Sequence, residues 1–159
     1  MGTRLRYEKM IRDKFPEIRW LRVYSSGYFE VVVYACDENL NLSNSLAQQL
    51  SIFLENQGAA HIKHIVKHYF FIREDNVPPA SEPPPEIKHI ALYGELDARG
   101  IKESIIKAFP FLNMKMVTVE NDVVRFSVSD NIFLTDIEKM FIRDYLHEIV
   151  PLGMRIELP

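Results

Sequence analysis

Three histidines are the residues of this chain most suggestive of chemistry: His61, His64 and His68. On a helix, this spacing would bring them to one face, where imidazole nitrogens could bind a metal ion. On a strand, His64 and His68 would share one face and His61 would lie on the other. No acid or cysteine stands among them to complete a tetrahedral site, and Lys63 and Lys67 would oppose a bound cation. We therefore predict a polar, titratable face and no metal site.

The other groups that could take part in catalysis are two pairs of acids and one cysteine. Glu95 and Asp97 stand near a predicted strand end, whereas Asp144 and Glu148 have helical spacing. Such carboxylates act as general acids or bases only inside a pocket, which the sequence does not indicate. Glycine-rich nucleotide motifs and a serine nucleophile elbow are absent from the sequence. We predict no catalytic residue and no cofactor, and we expect Cys36 to be a small buried thiol.

The composition is that of an ordinary globular protein. Of 159 residues, 47% are hydrophobic and 26% are charged, so most of the chain is expected to fold. The formal net charge of -3 disfavours a protein that holds nucleic acid mainly through its phosphates. Residues 1–22 hold seven bases and three acids, whereas residues 120–159 hold four bases and eight acids. These ends could attract neighbouring copies, but a solvated surface is the simpler interpretation.

The chain is expected to work in the cytoplasm, without a membrane anchor. Its one cysteine cannot form an internal disulfide, which suits a reducing compartment. The charged segment 1–12 lacks the apolar stretch of a secretory signal. No run approaches the roughly 18 apolar residues that a membrane helix needs.

The first half of the chain alternates between helical and strand-like hydrophobic patterns. Apolar residues recur at helical spacing from residue 5 and stop at Pro16, which cannot continue a helix. Residues 61–72 fit either a helix or a strand by periodicity alone. The first module, 1–76, is thus predicted to contain a helix over 5–15, strands Ile18–Tyr24 and Tyr28–Ala35 joined by a turn at Ser25–Gly27, a helix from Ser43 to about Gly58, and the undecided segment 61–72.

A proline-rich segment separates the two halves. It spans 77–86, holds five of the nine prolines, and is predicted to be a stiff, extended linker rather than a ligand for another domain. Beyond it, Thr135 and Glu138 are spaced as a capping box that opens a helix. The second module, 87–159, is predicted to be ferredoxin-like, β-α-β-β-α-β, with a strand over Ile87–Leu96, a helix capped by Asp97, strands over 113–119 and 123–129, a helix over 135–149 and a strand over 154–158.

The two halves of the chain share their order of signals. Phe15-Pro16 and Phe109-Pro110 each end a helix and lead into an apolar residue. A hairpin, a polar loop, a Ser- or Thr-capped helix and a β-rich tail follow in both halves. We interpret this as duplication of an α-β-β-α-β unit, the alternative being two similar folds with similar boundaries. By this analogy 61–72 is a strand, and the first module is a three-stranded sheet whose open edge invites pairing with another chain.

The segment Val150–Leu158 carries a helix into Pro-Leu-Gly and then into a β-rich strand. With the helix, hairpin and capped helix before it, this segment resembles the small α/β modules of baseplate wedge proteins in contractile-tailed phages and related injection machines. The resemblance implies a structural role in tail assembly without an active site, and it transfers no functional residues. Family members carry regions that this chain lacks, so it would not be a complete copy of one.

The sequence therefore predicts a non-enzymatic assembly protein of two tandem α+β modules that binds other protein subunits, in a phage tail baseplate. A small-ligand- or RNA-binding regulator on ferredoxin-like modules is the alternative, and an enzyme with a histidine base between the modules is a third hypothesis. Aromatic residues dominate interface hot spots, although core packing would equally explain them. The candidate contact residues are Tyr28, Tyr34, Tyr69, Phe70 and Phe71.

Overall fold

The first half of the chain forms a mixed α/β module, as predicted. The computed structural model describes residues 2–58, 60–112, 114–129 and 133–158. The elements of the first module are α1 (Arg4–Lys14), β1 (Ile18–Gly27), β2 (Glu30–Asp37), α2 (Asn44–Gln57), β3 (Lys63–His68) and the short α3 (Phe71–Glu74).

The second half repeats the α-β-β-α-β order of the first, after one additional helix, α4 (Pro85–Tyr93). The prediction of two small α+β modules is therefore confirmed. None of the helices in the described ranges combines the length and the apolar character needed to cross a membrane. The elements of the second module are α5 (Ala98–Ala108), β4 (Met114–Glu120), β5 (Val123–Val128), α6 (Asp136–Ile149) and β6 (Arg155–Glu157).

The two modules have the same sheet topology. In the described residues each sheet has three strands, in the order β1-β2-β3 and β4-β5-β6. The central strand pairs antiparallel with the strand before it and parallel with the strand after it. Val31 and Val33 of β2 correspond to Val124 and Phe126 of β5, and all four are buried. Each sheet thus presents one face to its own hydrophobic core.

The helix boundaries follow from capping residues that the sequence identifies. The Ser43 hydroxyl accepts a hydrogen bond from the Leu46 N–H at 3.1 Å and opens α2. Thr135 and Glu138 form the predicted capping box at the start of α6. Both α1 and α5 end where Phe-Pro follows, because proline cannot supply the next helical N–H.

The strand predicted at Ile87–Leu96 is wrong, because this segment forms α4. Pro85 takes the first helical position, where no intrahelical bond is lost, and Ile87 and Ala91 are buried four residues apart. Burial of one face of this segment against α1 and α6 decides the structure. The second module therefore lacks the leading strand of a ferredoxin-like fold, and α4 begins inside the predicted linker.

The hairpin of the first module turns later than predicted. β1 continues through Ser25–Gly27, and the turn falls on Tyr28 and Phe29, whose φ angles are 57° and 56°. Two successive left-handed residues match the twist of a tight hairpin, but this conformation is strained for aromatic side chains. The sequence signal was misleading because glycine, which adopts such angles easily, stands just before the turn.

The segment 61–72 contains the strand that the repeat predicted. β3 pairs parallel to β2 from Lys63 to His68, beside α2. The chain then leaves the sheet at Tyr69 and forms α3. The repeat was thus the better guide here, because hydrophobic periodicity alone fitted both structures.

The start of the chain binds the end of α4. The Thr3 hydroxyl donates a hydrogen bond to the Ala91 carbonyl at 2.6 Å, and Arg6 Nε donates to the same carbonyl at 2.9 Å. Arg6 also donates to the Gly94 carbonyl. The last carbonyls of a helix have no intrahelical donors and carry partial negative charge, so a guanidinium suits them.

A nearly buried ion cluster joins α1 to α6. Arg4 Nη2 lies 3.1 Å from the Glu148 carboxylate, and Arg4 Nη1 lies 3.1 Å from that of Glu8. Burial raises the pKa of the Glu148 carboxyl even with the guanidinium beside it. The basic beginning and the acidic end of the chain are thus paired, in part, within one molecule.

A tight contact joins the turn before β6 to the hairpin of the first module. The Phe29 N–H donates to the Gly153 carbonyl at 2.8 Å, and the Gly153 N–H donates to the Ser25 hydroxyl at 3.0 Å. Gly153 has a φ of +93°. The Pro-Leu-Gly segment therefore lies where the two modules meet.

Candidate protein interface

The outer faces of the two sheets, which point away from the hydrophobic cores, differ in character. Because side chains alternate along a strand, the strand pairings assign each residue to a face. Leu21, Val23, Val31 and Val33 lie on the core face of the first sheet. The outer face of that sheet carries large side chains, among them Trp20, Tyr24, Val32, Tyr34 and Ile65.

The outer face of the second sheet carries ion pairs and no aromatic side chain in the described strands, although Met116 is exposed there. Arg125 of β5 donates from Nε to Glu157 at 2.6 Å and from Nη1 to Glu120 at 2.9 Å. The strand pairings place Thr118 beside it. The duplicated unit therefore folds with a charged outer face, so the aromatic outer face of the first sheet is not a requirement of the fold.

The aromatic face leads into a corner where β3 ends. We call Trp20, Tyr69, Phe70 and Phe71 the aromatic corner. Three of these side chains are exposed and Tyr69 is half-buried. The rings of Trp20 and Tyr69 lie 6.0 Å apart between centroids, a separation typical of packed aromatic pairs. A cleft of about 920 Å³ opens beside Tyr69 and Phe70, with Arg73 and Glu74 among its lining residues.

The linker covers the remainder of the aromatic face. Val77 is buried, and Arg22 Nη2 donates to the Pro78 carbonyl at 3.0 Å. The Tyr34 hydroxyl also has a partner within the chain, since it donates to the Asp75 carboxylate at 2.7 Å. Part of the aromatic face thus holds the linker, and the aromatic corner is the part left open.

Two cations flank the aromatic corner. The Arg19 guanidinium carbon lies 5.7 Å from the centroid of the Trp20 ring, and Lys67 Nζ lies 5.9 Å from that of Phe71. Lys67 Nζ also lies 2.7 Å from the Asp75 carboxylate, which holds the pKa of that carboxyl below its ordinary value. The corner therefore has the anatomy of a contact surface, with an apolar centre and a charged rim.

Comparison with known proteins adds nothing to this geometry. No protein-family model, curated protein or solved structure matches the chain. Comparison of the two modules with each other does identify the aromatic corner, because they share a topology and differ on this face.

The structure separates the five residues predicted to make contacts. Tyr69, Phe70 and Phe71 lie together in the aromatic corner. Tyr28 is exposed at the hairpin turn, where the Arg155 guanidinium carbon lies 4.6 Å from its ring centroid. Tyr34 is buried under the linker and cannot contact a partner in this structure.

Sequence reasoning missed Trp20, whose ring packs against Tyr69 in the aromatic corner. The signal was the alternation in β1, where Trp20, Arg22 and Tyr24 occupy one face and Leu21 and Val23 the other. The strand β1 was predicted only as one half of a hairpin, and no contact role was predicted for its outer face.

The three histidines do not form a site. His61 is exposed and packs edge-on against Phe29. His64 points into the first module, with Nε2 2.9 Å from the Tyr7 hydroxyl oxygen, whereas His68 Nε2 lies 2.8 Å from the Leu40 carbonyl. Within the described ranges, His, Cys, Asp and Glu side chains form no group of three or more that could hold a metal ion.

The remaining candidate groups also have separate roles. Asp97 accepts from the Gly100 N–H at 2.7 Å and caps α5. Glu148 binds Arg4, whereas Asp144 is exposed on the same helix. Cys36 is buried, as predicted, on the outer face of the first sheet, and burial raises the pKa of its thiol.

His64 is expected to make the fold sensitive to acid. Burial lowers the pKa of its imidazole below the ordinary value of about 6.5. The unfolded chain then binds more protons than the folded chain at slightly acidic pH, so the free energy of unfolding falls as the pH drops below about 6.5. Urea denaturation of wild type and His64→Gln between about pH 7.5 and 5.5 should show a smaller loss in the variant. The exposed His61→Gln serves as control, and equal losses in all three proteins would contradict this role.

Proposed function

We propose that this chain is a non-enzymatic assembly protein that binds another protein through the aromatic corner. The observation that carries the proposal is the contrast between the two modules. The first module exposes Trp20 on its outer sheet face beside the exposed Phe70 and Phe71, whereas the second module carries the ion pairs of Arg125 on the same face. An aromatic surface that the fold does not require is best explained by a partner that covers it.

The chemistry of the aromatic corner suits a protein partner. Trp and Tyr are the residues most often responsible for interface affinity, and here Trp20 and Tyr69 already pack against each other. A rigid aromatic pair loses little conformational entropy when it is covered. Arg19 and Lys67 stand at the rim, where charges tune the rate and specificity of association more than its strength.

We propose the baseplate of a contractile tail as the assembly in which the chain works. The support is the resemblance of the duplicated module, and of Val150–Leu158 in particular, to modules of baseplate wedge proteins. In this setting the partners are other tail subunits, and the chain acts in the host cytoplasm and in the virion without a cofactor.

Substitution of the aromatic corner is expected to abolish capture of the partner. The wild-type chain and the variant Trp20→Ser/Phe70→Ser are immobilised and exposed to lysate from the native source, and mass spectrometry identifies the bound proteins. Loss of two central aromatic contacts is expected to weaken binding of a tail structural protein by about a hundredfold or more. Both side chains are exposed, so the variant is expected to remain folded.

The matched control is Ile52→Ser/Tyr93→Ser, which removes two exposed apolar side chains on helices away from the corner. This control is expected to capture the same subunit as wild type. A wild-type chain that captures no tail protein, or equal capture by wild type and the corner variant, would refute the proposal.

One observation favours the alternative of an RNA-binding regulator. Cations placed over aromatic rings are also the means by which proteins hold single-stranded nucleic acid. Such binding weakens steeply with salt, so fluorescence anisotropy of a labelled single-stranded RNA at two salt concentrations separates the hypotheses. Tight, salt-dependent binding that Trp20→Ser/Phe70→Ser removes would replace the assembly proposal by this one.

A further inference from the structure

The most exposed apolar side chains of the described residues lie elsewhere, just before α6 and on its first half. Phe133 and Ile137 are 90% and 80% exposed, and Met140 and Phe141 follow one turn later, also exposed. Ile137, Met140 and Phe141 are spaced three and four residues apart, so they share one face of the helix. We call these four residues the α6 face.

The α6 face takes little part in the packing of its own module, where the Phe141 ring lies edge-on to Tyr145 with centroids 4.7 Å apart. The residues that α6 buries are Ile142, Leu146 and Ile149, on the opposite side of the helix. An apolar patch of this kind on a soluble protein marks a surface that another molecule covers.

The corresponding helix of the first module provides a comparison. The cap Ser43 of α2 matches Thr135 of α6, and the buried Leu50 and Leu54 match Ile142 and Leu146. The same alignment matches the α6 face with polar residues of the first module. Its counterparts there are Asn41, Ser45, Gln48 and Gln49. The helix α2 therefore folds with a polar outer side. Folding alone does not explain the apolar residues at the same positions of α6.

Two charges of opposite sign flank the α6 face, and the exposed Asp144 follows Ile137, Met140 and Phe141 at helical spacing at its far end. Asp136 and Arg143 are exposed, and neither has an ion-pair partner in the described part of the chain. They are seven residues apart, which is nearly two turns, so they lie along the same side of the face with opposite signs at its two ends.

We propose that the α6 face binds a second copy of this chain, with the two α6 helices antiparallel about a two-fold axis. In that arrangement, centred near residue 139, Ile137 of one copy lies opposite Phe141 of the other, and the two Met140 side chains meet near the axis. Asp136 of each copy lies opposite Arg143 of the other, so the symmetry forms the ion pair twice. In a parallel arrangement Asp136 would instead lie opposite Asp136, and Arg143 opposite Arg143, so like charges would repel.

A second copy fits better than an unrelated protein because the surface complements itself. An apolar stripe with opposite charges at equal distances from its centre matches its own antiparallel image. The proposal rests on the assembly function above, but it uses a different surface and names a different contact.

Charge reversal tests both the contact and its direction. Sedimentation of the wild-type chain is expected to give about twice the monomer mass of 18.6 kDa. Asp136→Arg and Arg143→Asp each place like charges together twice, and each is expected to raise the dimer dissociation constant at least about tenfold. An equimolar mixture of the two variants restores both ion pairs and is expected to form a heterodimer of wild-type affinity.

Met140→Glu and the aromatic-corner variant complete the design. Met140→Glu brings two carboxylates to the axis and is expected to give monomers, with circular dichroism unchanged. Trp20→Ser/Phe70→Ser is expected to remain dimeric, and Asp136→Arg is expected to capture the tail subunit. The dimer contact and the partner contact can therefore fail independently of each other. A wild-type monomer at about 100 µM, or a mixture no more dimeric than its components, would overturn the inference.

Discussion

Replacing Arg4 by alanine is expected to lower the free energy of unfolding by about 3–5 kcal/mol, because it leaves two carboxylates nearly buried and unpaired. The Arg4 side chain is 10% exposed, and those of Glu8 and Glu148 are 14% and 15% exposed. Arg4 donates to both carboxylates, from Nη1 to Glu8 and from Nε and Nη2 to Glu148. Its removal also brings two negative charges together without a cation between them.

The desolvation of these carboxylates decides the size of the effect. Burial is the main cause of the raised pKa of Glu148, and the nearby Arg4 only partly offsets it. A surface pair with the same chemistry would contribute no more than about 1 kcal/mol, since water would solvate the charge that remains.

Urea denaturation at neutral pH measures the loss in Arg4→Ala. The control is Lys9→Ala, which breaks the exposed pair between Lys9 and Asp13 on the same helix. We expect the control to leave the free energy of unfolding nearly unchanged, because water and salt screen an exposed pair. If Arg4→Ala and Lys9→Ala are equally stable, the ion cluster does not hold α1 to α6 as described.

Gly153→Val is expected to lower the free energy of unfolding by about 2–4 kcal/mol, from backbone strain and overpacking together. The φ of +93° is one that β-branched residues rarely adopt. A Cβ at this position would lie 2.9 Å from Ile62 Cδ1 and 3.3 Å from Phe29 Cα. The isoleucine side chain can move, but the backbone of the hairpin turn is fixed by its own hydrogen bond to Gly153.

Thermal denaturation compares Gly153→Val with Asn121→Gly. Asn121 also has a positive φ, of 52°, in the hairpin turn between β4 and β5. Glycine accepts that angle without strain, so this variant is expected to differ from wild type by less than about 1 kcal/mol. A Gly153→Val variant as stable as wild type would show that the turn accommodates a side chain.

Local signals in the sequence predicted the boundaries of most elements. Ser43, Asp97 and Thr135 open helices because each supplies an acceptor for an N–H of the first turn. Pro16 and Pro110 end helices because they lack the N–H that the next turn needs. These effects act within a few residues, and they hold whatever the rest of the chain does.

The errors arise where distant contacts decide the structure. A strand was predicted at Ile87–Leu96, but α4 forms because one face of it is buried against helices of both modules. The pair Arg4 and Glu148 joins residues from opposite ends of the chain, and the sequence gives no sign that they meet. The turn at Tyr28 and Phe29 lies outside the usual rules for turn residues.

The candidate surfaces were partly predictable. Tyr69, Phe70 and Phe71 were predicted as contact residues from composition, but Trp20 becomes their neighbour only when β1 and β3 take their places in one sheet. The repeat could also have been used to compare the two copies position by position. In that comparison the polar residues of α2 align with the apolar residues of α6. The fold does not require the apolar residues, because α2 folds without them.

The turn at Tyr28 and Phe29 makes the folding of one module depend on the other. The Phe29 carbonyl accepts from Lys63 at the start of β3, and the Phe29 N–H donates to Gly153 of the second module. A strained pair of left-handed residues persists only while its surroundings hold it on both sides. The two hydrophobic cores are separate, yet we expect them to unfold in a single cooperative transition, as one folding unit.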